Sequence, residues 1–413
     1  MSAAGPPQGA NAPAGGPHRG VSRKRGGPMS TTATTAERPI HVLLLCESLA
    51  LAGGVERFVC EIGNALAARG MQVTLGSVDT PRERVVYPVD ARVRVTSTGA
   101  RLPQEGARTR LGRGLAILRA RWRVGRALGR VIDAERADVI VFNGLVTTCS
   151  VLACKRGARS RSICCDHNHF TARSRLWQRL RTAIYPQVAA VVSLTEADRP
   201  KFAALNPHTR VIANTSSLHA DAPALPAEPR VLAVGRLQAQ KGFDLLLRAW
   251  HVVVRHVPGA RLRIVGEGPL GRDLASLSGE LGVASSVEWI APTDRIEALY
   301  REAAVFVLSS RYEGMPLALL EAQALGVPAV AFDCPTGPGE IVSEETGIVV
   351  PAEDVPALAA AIVRLLRDPA LRARMASAAI ARSRAVFSRE RQVDAWADLI
   401  REVASSPRAT AAP

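Results

Sequence analysis

The chain has 413 residues, 47% of them hydrophobic, a formal net charge of +16 and seven cysteines. That apolar share, with a mean hydropathy of +0.07, excludes a largely disordered chain, and the length predicts two to three domains. No run reaches the ~18 uninterrupted apolar residues of a spanning helix, which argues against an integral membrane protein.

Residues 1–38 are rich in Gly, Pro, Ala, Thr and Ser, with a basic cluster at Arg23, Lys24 and Arg25. No apolar core of a signal peptide follows, so the segment is expected to be a disordered basic tail, with Met29 an alternative start. Ordered sequence begins at Ile40. Val42 to Cys46 predicts a strand, Gly53-Gly54 a turn, and Val55, Phe58, Val59, Ile62, Leu66 and Ala67 a helix stopped at Gly70. Val73–Leu75, Val139–Phe142, Ser162–Cys165 and Ala189–Ser193 continue as strands between helical patterns. Strand and helix in alternation predict a parallel α/β layer.

Residues 214–229 carry Pro223, Pro226 and Pro229 and interrupt that alternation. The pattern then restarts at Val231–Val234 and continues through Leu262–Val265, Val305–Leu308, Ala329–Phe332 and Ile348–Val350. The expected organisation is a tail (1–38), a first Rossmann-like domain (39–215), a linker (216–229) and a second such domain (230–386). A C-terminal helix (387–405) that crosses back to the first domain and a disordered tail (406–413) complete it. Two doubly wound α/β domains would face each other across a cleft, where open sheets bind ligands beyond the carboxyl ends of their strands.

The seven cysteines (Cys46, Cys60, Cys149, Cys154, Cys164, Cys165, Cys334) are odd in number, contain no C-x-x-C pair and mostly sit in apolar runs. They are read as reduced, buried thiols of a cytoplasmic protein, neither disulfides nor zinc ligands.

Several short motifs lie where these strands end. Gly53-Gly54 can bring backbone N–H groups to an anion at a helix N-terminus, although an ordinary tight turn has the same appearance. Gly235-Arg236 and Gln240-Lys241-Gly242 put two cations five residues apart, between a strand end and a helix start. There they can converge on a diphosphate, or be two solvated charges. The segment Ser309 to Gly326 contains Glu313 and Glu321, seven residues between them. Gly314 and Pro316 break the intervening helix, and Pro316 suits a first helical position. Glu313 is then in a loop and Glu321 in the second helical turn, so both can face a ligand across the helix N-terminus. A carboxylate accepts from paired hydroxyls, as in a sugar or a ribose.

Taken in order, Gly53-Gly54, Gly235-Arg236 with Lys241, Val265-Gly266-Glu267-Gly268-Pro269 and the Glu-x7-Glu element resemble the family-four retaining glycosyltransferases of GT-B fold, over about residues 40–390. The resemblance implies that Arg236 and Lys241 hold the diphosphate of a nucleotide-sugar donor, approached by Gly53 and Gly54 and by the loop at Gly266. It implies donor contacts from Glu313, Gly314, Met315, Pro316, Leu317 and Glu321, with Glu313 on sugar hydroxyls and Glu321 on the ribose. In Asp166-His167-Asn168-His169 it places His167 beside donor sugar and acceptor, so His167 and Glu313 are the candidate catalytic residues. A backbone-bonded strand-end histidine and a metal pair with His169 are the rival readings. Retention at the anomeric carbon is implied, with no metal and no further cofactor. Asp333 to Glu340 resembles the loop beside the donor in bacterial polysaccharide transferases and favours a UDP-sugar over a GDP-sugar. The chain departs from the family at Asn214-Thr215-Ser216 and at Ala291-Pro292, which bears on base recognition.

Positive charge is concentrated in one segment. Residues 1–38 carry +4, 39–100 zero, 101–181 +13 and 182–413 −1. Arginines are mixed with Leu115, Ile117, Leu118, Trp122, Leu128, Val131 and Ile132, and again with Leu176, Trp177 and Leu180 beside Arg173, Arg175, Arg179 and Arg181. Such helices suit an anionic membrane surface, and equally the solvated faces of a chain with four lysines against 49 arginines. The function expected is hexosyl transfer to a glycan or lipid-linked acceptor in cell-surface polysaccharide or glycolipid synthesis, by a cytoplasmic enzyme peripheral at the inner membrane face. No nucleic-acid partner is expected. The alternatives are a nucleotide-sugar epimerase of the same fold and a basic nucleic-acid-binding protein.

Overall fold

The structure is a computed structural model that describes residues 38–51, 53–99 and 110–406, with the helical path alone over 110–118. The expected terminal tails therefore lie outside the described residues, apart from Arg38 and Ser406. So do residues 101–109 of the basic segment and the side chains of Leu115, Ile117 and Leu118.

The first lobe runs β1 (His41–Leu45), α1 (Gly54–Ala68), β2 (Gln72–Ser77), β3 (Arg94–Ser97), α2 (Arg110–Glu135), β4 (Val139–Asn143) and α3 (Leu145–Cys154). It continues with β5 (Ser162–Cys165), α4 (Arg175–Ile184), β6 (Ala190–Ser193), α5 (Arg199–Ala203) and β7 (Thr209–Val211). The second runs β8 (Arg230–Val234), α6 (Phe243–His256), β9 (Arg261–Val265), α7 (Gly271–Glu280), β10 (Val287–Ile290), α8 (Ile296–Arg301) and β11 (Val305–Leu308). It then adds α9 (Leu317–Ala324), β12 (Ala329–Asp333), α10 (Pro338–Ile341), β13 (Gly347–Pro351), α11 (Val355–Arg367) and α12 (Pro369–Val386), before the terminal helix α13 (Arg389–Ser405).

The strands form a seven-stranded sheet, β3-β2-β1-β4-β5-β6-β7, and a six-stranded sheet, β10-β9-β8-β11-β12-β13. Every pairing is parallel. Helices cover both faces, which is why β1, β4 and β11 are buried along their whole length and read as unbroken apolar runs. The order reverses beside β1 in one lobe and β8 in the other, the switch points at which such sheets open a crevice.

Three strands lie outside the sequence expectation: β3, β7 and β10, each at a sheet edge. An edge strand buries less, so its apolar signal is weaker. The Pro-rich segment is not a free tether. Asn214, Thr215 and Ala220 are buried, and the Ala220 amide donates to the Ala324 carbonyl at 3.2 Å. Helix α13 packs on the first lobe, its Trp396 ring 5.8 Å from that of Phe58 on α1. Arg69–Asp394 and Arg210–Glu402 ion pairs flank that contact. The cysteines form no disulfide; six are buried and Cys154 is exposed.

Candidate active site

The second lobe contributes the cationic wall. After β8, the Gly235 amide donates to Val265 and the Leu237 amide to Glu267, at 3.0 and 2.9 Å, which ties this loop to the end of β9. Gly266 makes that approach feasible: at φ 147° a Cβ there would lie 2.1 Å from the Gly235 carbonyl oxygen. The loop holds Arg236 exposed. One 3₁₀ turn later comes Lys241, and α6 starts on the left-handed Gly242.

Opposite stands the loop from Ser309 to Pro316. Lys241 Nζ lies 2.6 Å from Glu313 Oε1, and the Ser310 hydroxyl donates to the same oxygen at 2.6 Å. One of three ammonium donors is thereby spent on the carboxylate; the others remain to meet an anion. Helix α9 begins at Leu317, with Pro316 as N-cap, one position earlier than expected for the proline. Glu321 is in its second turn. Tyr300 Oη donates to Glu321 Oε2 at 2.8 Å, and Arg57 pairs with Oε1. Burial pushes the Glu321 carboxyl upward, opposed by Arg57 and the Tyr300 hydroxyl. Burial would lower Arg57, but Glu321 and Glu61 outweigh it and leave the guanidinium raised. Both shifts are upward, which favours the charged guanidinium but the neutral carboxyl; the direct contact decides for a charged pair.

The first lobe brings the N-terminus of α1 and the loop after β5. Gly53 is the N-cap and Gly54 the first residue of α1, so the N-terminal end of this helix lies on the cleft wall, with the Glu56 carboxylate folded back beside Gly53. Loop residue His167 meets the second lobe directly: a Cβ on Gly314 would stand 2.4 Å from the His167 carbonyl oxygen. Asn143 Nδ2 donates to Leu45 O at 3.3 Å, which turns its Oδ1 toward His167 Nε2 at 3.0 Å. Nε2 is thus the donor, and Nδ1 carries the lone pair in a neutral ring. Burial lowers the His167 pKa from 6.5 to about 4, although the residue lines the cleft and is partly exposed.

A cavity of about 240 Å³ lies between these walls, lined by Gly53, Gly54, Arg57, His167, Asn214, Arg236, Lys241, Glu313, Met315, Pro316, Leu317 and Glu321 among others. Arg57, Arg236 and Lys241 face Glu313 and Glu321 there, an excess of positive charge suited to a diphosphate. Gly266 and Gly314 are not on its wall; they back Arg236 and His167. A second cavity of about 360 Å³ adjoins it in the first lobe, with Glu47, Glu56, Asn143, Asp166, His169, Arg173 and Arg181 on its wall. Gly54, Val55, His167, Asn168 and Arg236 line both. Beneath the second cavity, Tyr185 Oη donates to Asp166 at 2.6 Å, while Arg181 bonds Asp166 at 3.3 Å and the Phe170 carbonyl at 2.6 Å. Burial raises Asp166, with Arg181 and Tyr185 opposing.

Arg57, Tyr300, Asn143 and Ser310 escaped the sequence reading. Arg57 alone left a signal: it sits three residues after Gly54, in the first turn of a helix aimed at the cleft. His169 bonds Thr171 at 3.1 Å, with its ring 5.4 Å from that of Tyr312. Among the described residues no group of three or more His, Cys, Asp or Glu side chains is placed to hold a metal ion.

Residues 52–215 match the model of Glycosyltransferase Family 4, and residues 228–368 that of Glycosyl transferases group 1. The amylovoran biosynthesis glycosyltransferase AmsD of Erwinia amylovora is 30% identical over 373 residues, 87% of this chain and 99% of that protein. Sucrose-phosphate synthase from Thermosynechococcus elongatus superposes with a TM-score of 0.74 at 23% identity, covering 88% of this chain and 99% of that one. Anabaena HepE, solved with UDP and glucose, superposes with a TM-score of 0.68 at 19% identity, covering 88% and 100%. With both lobes matched, and a relative aligned over nearly its whole length, the chain belongs to the family-four glycosyltransferases and has their GT-B fold.

Proposed function

We propose that this glycosyltransferase moves a hexose, with retention, from a nucleoside-diphosphate donor to a glycan or lipid-linked acceptor in cell-surface polysaccharide or glycolipid synthesis. A UDP-sugar is favoured over a GDP-sugar, in keeping with the ligand of HepE. The observation that carries the reading is the pair of adjoining cavities that share Gly54, His167 and Arg236. One suits an anionic donor and the other an acceptor, and they meet where the glycosyl group would pass. Residues 39–215 are the acceptor side, residues 230–386 the donor side, and 216–229 the connection.

In this mechanism the acceptor oxygen bonds the anomeric carbon from the face that the diphosphate leaves. The carbon–oxygen bond to phosphate breaks with its electron pair on the phosphate oxygen, which takes the acceptor proton. Arg236 and Lys241 offset the charge that develops there. Glu313 orients sugar hydroxyls and Glu321 the ribose, while neutral His167 offers Nδ1 as an acceptor beside the reacting carbon. The exposed arginines of α2 and α4, in the layer outside the first sheet, support docking on an anionic membrane.

The test is a screen of UDP- and GDP-sugars for nucleotide release with and without glycan acceptors. Arg236→Ala and Lys241→Ala should each lower turnover by about 100-fold or more. Turnover that survives both substitutions would remove the reading.

A further inference from the structure

Beyond Glu313, the second lobe reaches the loop of His167 by a route away from the cavity. Glu340 on α10 accepts two backbone hydrogen bonds from the first lobe: Glu196 N to Oε2 and Ala197 N to Oε1, both at 2.9 Å. The next residue, Asp198, is buried. Its Oδ2 accepts from the Phe170 amide at 2.7 Å, and its Oδ1 pairs with Lys201 at 2.7 Å. Phe170 ends the segment that His167 begins, and Arg181 holds its carbonyl.

Glu340 is itself well fixed. Arg382 on α12 donates to the Glu340 and Ile341 carbonyls at 2.8 and 3.0 Å. Thr336, in the same loop, donates to the Glu313 carbonyl at 2.6 Å. A Cβ on Gly337 would lie 2.7 Å from the Gly314 oxygen. The loop from Asp333 to Glu340 is therefore stitched to the Glu313 loop at one end and clasps the first lobe at the other.

We propose that Glu340 is a positioning residue: its carboxylate clasps the Glu196–Ala197 amides and, through Asp198, holds the His167–Phe170 segment in register with Glu313. Both amides point at one carboxyl group, one to each oxygen, so the clasp is directional as well as attractive. The inference rests on the proposed role of His167 for its effect on turnover, but not for its structural content.

Amide hydrogen exchange on the full-length protein tests that content. Glu340→Gln keeps one acceptor oxygen and turns an amide group toward the second N–H. Exchange at Glu196 and Ala197 should quicken by about tenfold or more, and at Phe170 in the same sense. Asp198→Ala should free Phe170 while Glu196 and Ala197 stay protected. An unchanged Phe170 amide in Glu340→Gln, with Glu196 and Ala197 exposed, would overturn the relay. With UDP as the nucleotide probe, Kd should change less than about twofold while turnover drops about tenfold, a split that general loss of fold does not give. If turnover is low but His167→Ala is fully active, the role of His167 fails and the exchange result still judges the clasp. In a His167→Ala background, Glu340→Gln should cost no further turnover; full additivity counts against the proposal.

Discussion

Each carboxylate proposed to hold the donor is matched to one cation, and the two pairings differ in what they cross. Lys241–Glu313 closes within the second lobe, whereas Arg57–Glu321 joins residues of different lobes. Removing Arg57 leaves Glu321 buried without its cation, so Arg57→Ala should destabilise the protein by about 3 kcal/mol in urea unfolding. That is the low end for such a loss, because a fifth of the Arg57 side chain meets solvent. His167 gives a pH signature. Its folded pKa of about 4 lies below the ordinary 6.5, so between these values the unfolded chain binds a proton that the native ring refuses. Stability should thus fall as pH drops through that window and level off below it. The His167 resonances should not titrate between pH 8 and 6 in NMR, and His167→Ala should flatten this part of the stability profile.

Among the elements, α9 and α13 show how far local pattern reaches. Gly326 follows α9 at φ +70° as its chemistry predicts, whereas Pro316 is the N-cap, one position before the first helical residue expected for it. The short edge strands β3, β7 and β10 were not legible. Thr209–Val211 has three residues, and Val287–Ile290 interrupts its apolar run with Glu288. Only neighbouring strands make such segments regular. Helix α13 buries Val393, Trp396, Leu399, Ile400 and Val403 against the lobe that the chain left far upstream. Trp396 is 1% exposed and touches Phe58, whose ring lies 4.8 Å from that of His167. Trp396→Ala should cost about 3–5 kcal/mol by thermal or chemical unfolding, and should disturb the His167 ring through Phe58.

For the whole molecule, the uneven charge is the feature with a consequence outside the cleft. Trp122 is 55% and Leu176 50% exposed, Arg126 stacks 4.8 Å over the Trp122 ring, and Arg173, Arg175 and Arg179 are exposed along α4 and its approach. No helix among the described residues is long and apolar enough to cross a membrane. Co-sedimentation should rise with the anionic lipid content of liposomes and weaken as salt screens it. Arg175→Glu with Arg179→Glu should reduce it severalfold. Binding indifferent to lipid charge and salt would dismiss the membrane role.

The sequence by itself determined the alternation of strand and helix, two parallel α/β layers, and the motifs at the strand ends. Those features depend on periodicity, glycine and proline chemistry, and the apolar runs of strands covered on both faces, all local properties. Tertiary structure alone decided that Arg57 meets Glu321, that Asn143 sets the tautomer of His167, and that Gly314 lies against the His167 carbonyl. Such partners are tens to hundreds of residues apart. Their meeting depends on the stacking of sheets and the return of α13, which no periodicity within one element encodes.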